Sequence, residues 1–129
     1  MGKSQYLIDT NVVIDFLGNK LPNTGMNFVN GIVDSVPKLS IITKIEVLGF
    51  NTTAENYQLL TDFMGDSTIF ALTDDIVEAC IEIRKKYKIK LPDAIIAATA
   101  LVHGLTIISR NTKDFINISD LQYLNPYEL

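Results

Sequence analysis

The chain has no tryptophan and only one cysteine and one histidine in 129 residues. A lone cysteine, Cys80, cannot form an internal disulfide, which excludes a bridged secreted scaffold. With His103 as the only imidazole, a zinc site of the usual nitrogen and sulfur ligands cannot be assembled, and the simplest role for His103 is a cation at a helix carboxyl end. Long apolar runs are missing too. The longest nearly unbroken one, Ala94 to Val102, is about half the length a membrane span requires. The amino-terminal residues show no charged, apolar, cleavable leader. Together these absences predict a soluble protein of the reducing cytosol with no membrane attachment. A glycine-rich phosphate loop with its lysine is also absent, which removes the P-loop enzymes. Positive charge is in deficit, with 11 Lys and Arg against 15 Asp and Glu. Taken alone, this argues against a nucleic-acid partner, because phosphates are usually neutralised by surplus Lys and Arg.

What the chain does have is apolar residues, 47% of the total. That is enough at this length to bury one core, so residues 1–129 are read as a single domain. Short apolar runs at Tyr6 to Ile8, Leu39 to Ile42, Thr68 to Leu72, Thr106 to Ser109 and Gln122 to Leu124 mostly lack polar alternation. Such runs suit strands buried on both faces, as in a parallel sheet. Between them lie segments with helical spacing: Val12, Phe16 and Leu17; Met26 to Val36; Ile45, Leu48 and Gly49; Tyr57, Leu60 and Met64; Ile76, Cys80, Ile83 and Tyr87. Alternation of the two predicts an α/β fold, with a mostly parallel sheet of about five strands.

In such a sheet the helices run back against the strands, so helix amino termini gather at the edge where strands end. Asp9 closes the first strand in "YLIDTNVVIDF", and Glu46 is placed in the first turn after the second in "SIITKIEVLGF". Asp93 opens the helix "LPDAIIAATALVHG", and Asp114 follows the next strand in "ISRNTKDF". All four acids map to one edge. Each has an ordinary explanation: Asp9 as a helix cap, Thr43-x-x-Glu46 as a capping box, Asn111-x-x-Asp114 as a variant of it, and Asp93 beside Pro92 as a complement to the helix dipole. Jointly those explanations fail. At an effective dielectric near 20, two carboxylates about 5 Å apart repel by roughly 3 kcal/mol, whereas a helix terminus returns about 0.3–1 kcal/mol. An anionic cluster calls for a cation, and carboxylate oxygens without His or Cys favour Mg²⁺ or Mn²⁺. Such a centre suits metal-assisted phosphodiester hydrolysis with no side-chain nucleophile. Setting the four acids aside leaves eleven, equal to the Lys and Arg, so the charge objection to nucleic acid lapses.

At these segments the sequence resembles the PIN-domain family, in particular the VapC-type ribonuclease toxins of prokaryotic toxin–antitoxin pairs. The resemblance rests on Asp-Thr-Asn near the start, the isolated Glu46, Leu-Pro-Asp-Ala-Ile-Ile-Ala-Ala-Thr-Ala and Ser-Arg-Asn-Thr-Lys-Asp-Phe. It implies a three-layer α/β/α sandwich, Mg²⁺ or Mn²⁺, cleavage of RNA, a homodimer and a small antitoxin partner. By position, Asp9, Glu46, Asp93 and Asp114 would be the catalytic, metal-holding quartet. Asn11, Ser109 and Asn111 would be neutral helpers holding a water, a carboxylate or a phosphate.

Other functions fit less well. A phosphatase of the haloacid-dehalogenase type would want a second acid two residues after Asp9, where Asn11 stands. A receiver-like phosphoacceptor would need paired acids and a late lysine that are not evident. The remaining alternative is a catalytically idle PIN-like module that binds RNA or protein. The run "RKKYKIK", 84–90, holds five of the eleven cations around Tyr87 and is read as a solvated helix end, with RNA contact as the second option. Cys80 is placed in the core, Asp74 and Asp75 at a helix start, Asp15 and Asp34 on the surface, and Tyr123 and Tyr127 in packing roles.

Overall fold

A computed structural model describes residues 5–129; the leader expectation partly concerns residues 1–4, which lie outside them. The strands are β1 (Tyr6–Ile8), β2 (Lys38–Ser40), β3 (Thr68–Phe70), β4 (Thr106–Ile108) and β5 (Gln122–Leu124). The helices are α1 (Thr10–Leu17), α2 (Asn23–Val33), α3 (Ile41–Leu48), α4 (Ala54–Gly65), α5 (Asp74–Lys86) and α6 (Leu91–His103), with a 3-10 turn at Thr112–Asp114. The strands form one sheet in the order β3-β2-β1-β4-β5, and every pairing is parallel. β1 therefore lies in the middle, in register with β4 through Leu7 opposite Ile107 and Ile8 opposite Ile108.

Alternate residues of these central strands supply two cores. Leu7 and Ile107 pack with α5 and α6 through Ile76, Cys80, Ile83 and Ile96. Ile8 and Ile108 pack on the other face with Val12, Val29, Val47 and Leu60. A strand flanked on both sides by helices needs apolar residues at every position, which is why these runs show no alternation. The result is the three-layer α/β/α sandwich. No helix of the described residues is long and apolar enough to cross a membrane.

Helix ends follow local chemistry. Ser40 Oγ accepts from Ile42 N at 3.1 Å, so β2 gives way to α3 at Ser40 and does not run on to Ile42. This moves Glu46 to the sixth position of α3, outside its first turn, and replaces the expected Thr43 capping box by a Ser40 cap. α5 carries Asp74 and Asp75 in its first turn and Arg84, Lys85 and Lys86 in its last, complementing the dipole at both ends. α6 has Pro92 in its first turn and stops at Gly104, whose φ of 65° is the left-handed conformation that ends helices.

Two further expectations are corrected. α2 starts at Asn23, earlier than Met26, and ends at Val33, short of Val36, because Pro37 has no N–H with which to continue it. Gly25 is a buried residue of α2, where a Cβ would stand 2.0 Å from the Pro126 carbonyl oxygen. Tyr87 leaves α5 in an extended conformation.

Candidate active site

The order of strands creates a reversal between β1 and β4: one connection leaves β1 toward β2, while β4 is added on its other side. In open parallel sheets the crevice beyond the strand ends at such a reversal is the usual ligand site. Asp9 follows β1 there and Ser109 follows β4, with Asp9 N bonded to Ile108 O at 2.9 Å. Asp9 is 7% exposed and Ser109 is fully buried. Ser109 Oγ donates to Asp9 Oδ2 at 2.8 Å, Thr10 N donates to Asp9 Oδ1 at 2.8 Å, and Asn111 N donates to Ser109 Oγ at 3.1 Å. Burial pushes the Asp9 carboxyl up, against the pull of Ser109 and Thr10 and with help from the nearby charges of Glu46 and Asp114.

Asp93 reaches the same edge from the first turn of α6. The helix behind it, Ala94 to Ala100, is buried throughout, so its carboxylate is delivered by a rigid core element. Partial burial, followed by the charges of Asp114, Asp9 and Glu46, pushes the Asp93 carboxyl up to about 6, with Lys90 alone pulling it down. Asp93 thus feels the charges of the other three acids. Glu46, although beyond the first turn of α3, is exposed and is reached from α1, where Thr10 Oγ1 donates to Glu46 Oε1 at 2.5 Å. The Thr10 and Thr43 hydroxyls lie 3.3 Å apart beneath that bond. Asp114 is exposed and accepts from Asn111 Nδ2 at 2.6 Å. That contact takes the place of the expected cap, since Asn111 makes no side-chain bond to the turn's backbone.

The donor set is all oxygen. Among the described residues the ion pairs are Lys85 with Glu82 and Arg110 with Asp15, so none of the four acids is neutralised by a cationic partner. Neither do any three acids among the described residues stand close enough to form a ready-made ligand group. That arrangement fits a hard ion held by one or two carboxylates and completed by water, and does not fit an all-protein cage.

The family model for the PIN domain matches residues 6–121. The chain belongs to the PIN-domain family. No curated protein matches this PIN chain closely enough to count as a relative. Among solved structures it is similar to a chain of a toxin–antitoxin complex from Klebsiella pneumoniae, at 34% identity and a TM-score of 0.76, over 96% of this chain and 99% of that one. DNA-bound VapBC from Salmonella typhimurium shares the fold at 20% identity and a TM-score of 0.80, over 96% and 99% of the two chains. FitAcB from Neisseria gonorrhoeae does so at 24% identity and a TM-score of 0.78, with the same coverage.

Asn11 is exposed at the second position of α1, two residues after Asp9 in the chain. The run 84–90 spans the end of α5 and the link to α6, and Lys90 is the member whose charge reaches Asp93. Its Tyr87 is half-buried against the α5–α6 core and its hydroxyl accepts from Ser119 N at 3.3 Å, so it is not presented as a stacking platform. Cys80 is buried, and His103 ends α6 stacked on Phe70 with ring centres 4.1 Å apart. Sequence reasoning missed Thr10, whose pattern is that of an ordinary helix residue, and it misjudged Asp15. Asp15 is partly buried in α1 and accepts hydrogen bonds from Tyr127 and Arg110.

Proposed function

We propose that this PIN-domain protein is a metal-dependent endoribonuclease and the toxin partner of a toxin–antitoxin pair, acting as a homodimer restrained by a small antitoxin protein. The observation that carries the proposal is the setting of Asp93: burial first, and then three like charges, raise its carboxyl at the reversal point of the sheet, and no Lys or Arg is paired with any of the four acids among the described residues. The toxin part draws on the similarity to the Klebsiella pneumoniae toxin–antitoxin chain.

Asp9, Glu46, Asp93 and Asp114, one or two at a time, would hold Mg²⁺ or Mn²⁺, with water completing its shell, and the ion would supply an activated water and neutralise charge on the scissile phosphate. Ser109 aims the Asp9 carboxylate by its 2.8 Å bond and favours its ionised form against the larger opposing effect of burial. Thr10 aims Glu46 and Asn111 aims Asp114, each through its own hydrogen bond. Asn11, exposed next to Asp9, is free to meet substrate phosphate. Lys90, whose charge reaches Asp93, would offer the acidic edge a cation for the RNA backbone.

A labelled RNA incubated with Mg²⁺, with Mn²⁺ and with EDTA tests this. Cleavage should require the ion and fall by about 100-fold or more in Asp93→Asn, a loss of roughly 3 kcal/mol of transition-state stabilisation. The idle binding module is favoured only by the open spacing of the carboxylates. Binding of RNA without ion-dependent cleavage would establish it.

A further inference from the structure

Asp114 reaches the site as the last residue of a single 3-10 turn within the loop after β4, whereas Asp9, Glu46 and Asp93 sit at or within α-helices. A loop is a poor platform for a charge that must stay within reach of three others. Something must hold it. Its far end is fixed by Phe115, 1% exposed in the α5–α6 core, and its near end by the buried Ser109, whose N–H bonds Leu124 O at 3.0 Å. Between these lies Arg110, and around it the carboxyl-terminal segment and α1 converge. Arg110 Nη1 lies 3.5 Å from Asp15 Oδ2, and its guanidinium lies 5.4 Å from the centre of the Tyr127 ring. The Tyr127 hydroxyl donates to the same Asp15 oxygen. Asn125 Nδ2 donates to the Arg110 carbonyl at 3.2 Å, and Asn125 Oδ1 accepts from Tyr127 N at 2.8 Å. The segment is itself seated on α2, because Gly25 leaves room for the Pro126 carbonyl.

We propose that Asp15, Arg110 and Tyr127 form a clamp that fixes the loop 109–114 and so sets where Asp114 stands relative to Asp93. They are positioning residues; none of them touches the reacting atoms. The inference rests on the active-site reading above for its catalytic meaning, but the mechanical claim stands apart from it. Asp15 is only 18% exposed at its side chain. Arg110 is 55% exposed, so its contact with Asp15 is that of a surface pair, whereas the part-buried Tyr127 hydroxyl bond to Asp15 is less diluted by water. A hydroxyl bonded to a carboxylate is worth enough that its loss alone would loosen the loop.

Two variants test the clamp in the full chain. Tyr127→Phe removes one hydroxyl and keeps the ring under Arg110, and Arg110→Lys keeps the charge but loses the planar stack. In metal-free protein, amide exchange at Asn111 and Asp114 should quicken by about tenfold in both variants while Leu7 and Ile107 are unchanged. Mn²⁺ affinity should fall by about tenfold, as when a partner that orients a metal ligand is removed. Unchanged loop exchange, a uniform acceleration through β1 and β4, or a loosened loop with unaltered Mn²⁺ affinity would each overturn the clamp. A wild-type chain that takes up no Mn²⁺ would sink the metal-centre proposal instead. The clamp would then be decided by the loop amides alone, local acceleration upholding it and none overturning it.

Discussion

Asp93 carries two burdens, partial desolvation and three neighbouring negative charges, and without a bound cation both make its ionised form costly. The folded chain holds its carboxyl at about 6, while an unfolded chain would release that proton near the ordinary value of about 3.9. Between those values the native state binds the extra proton. Stability tied to it is complete below about 4 and is lost as pH rises through about 6; burial of Asp9 acts in the same direction. Urea denaturation in EDTA at pH 4.5 and pH 7.5 should therefore show wild type losing ground at the higher pH and Asp93→Asn losing less. An equal loss in both proteins would mean that Asp93 is not crowded. Ser109 is the complementary case, since its single proton goes to Asp9 Oδ2 at 2.8 Å. Ser109→Ala should lower Mn²⁺ affinity by about 10–100-fold with the fold intact, the range found when groups that orient metal ligands are removed. Calorimetric titration showing wild-type affinity would remove Ser109 from the site.

Among the elements, α6 was the most legible from sequence, because Pro92, Asp93, the apolar run and Gly104 each state a position along one helix. α3 was less so. A capping box read on Thr43 was displaced by Ser40, one of two hydroxyl residues able to cap, and only the backbone course decides between them. Glu46 nonetheless stays in the site because helix side chains lean toward the amino terminus, bringing it within reach of Thr10. The carboxyl end of α2 was misread because Val36 continues the apolar pattern, while its φ of 66° places it in the left-handed region. That conformation is unfavourable for a β-branched residue by about 1–3 kcal/mol, and Val36 is 53% exposed, so little burial compensates. Val36→Gly should stabilise the protein by about 1 kcal/mol after the added chain entropy is counted, a rise of roughly 4 °C in Tm. A scanning melt showing a lower Tm would mean that the Val36 side chain contributes more than its exposure implies.

For the whole molecule, the two-faced burial of β1 and β4 was legible in their unbroken apolar runs, and with it the layered parallel fold. The order β3-β2-β1-β4-β5 was not, because no local pattern says on which side of β1 a later strand will pair. That order is what brings Asp9 beside Ser109, a hundred residues away in the chain. The same limit hid the Asp15, Arg110 and Tyr127 contacts: an acid in α1 and a tyrosine near the carboxyl end look like surface and packing residues until the fold joins them. Asp9, Asp93 and Asp114 could be assigned to one edge from sequence because each follows a strand or opens a helix, positions that a parallel sheet places there; Glu46 was assigned there through a first turn that it does not occupy and reaches Thr10 from mid-helix instead. What they gather for is the central claim, and a crystal grown with Mn²⁺ and read by its anomalous scattering tests it most directly. The expected result is an ion at the β1–β4 crevice in contact with Asp9 and at least one of Glu46, Asp93 and Asp114, about 2.0–2.2 Å from their oxygens, the remaining ligands being water. An occupied site elsewhere, or a crevice that stays free of Mn²⁺ while its acids pair with Lys or Arg, would contradict it.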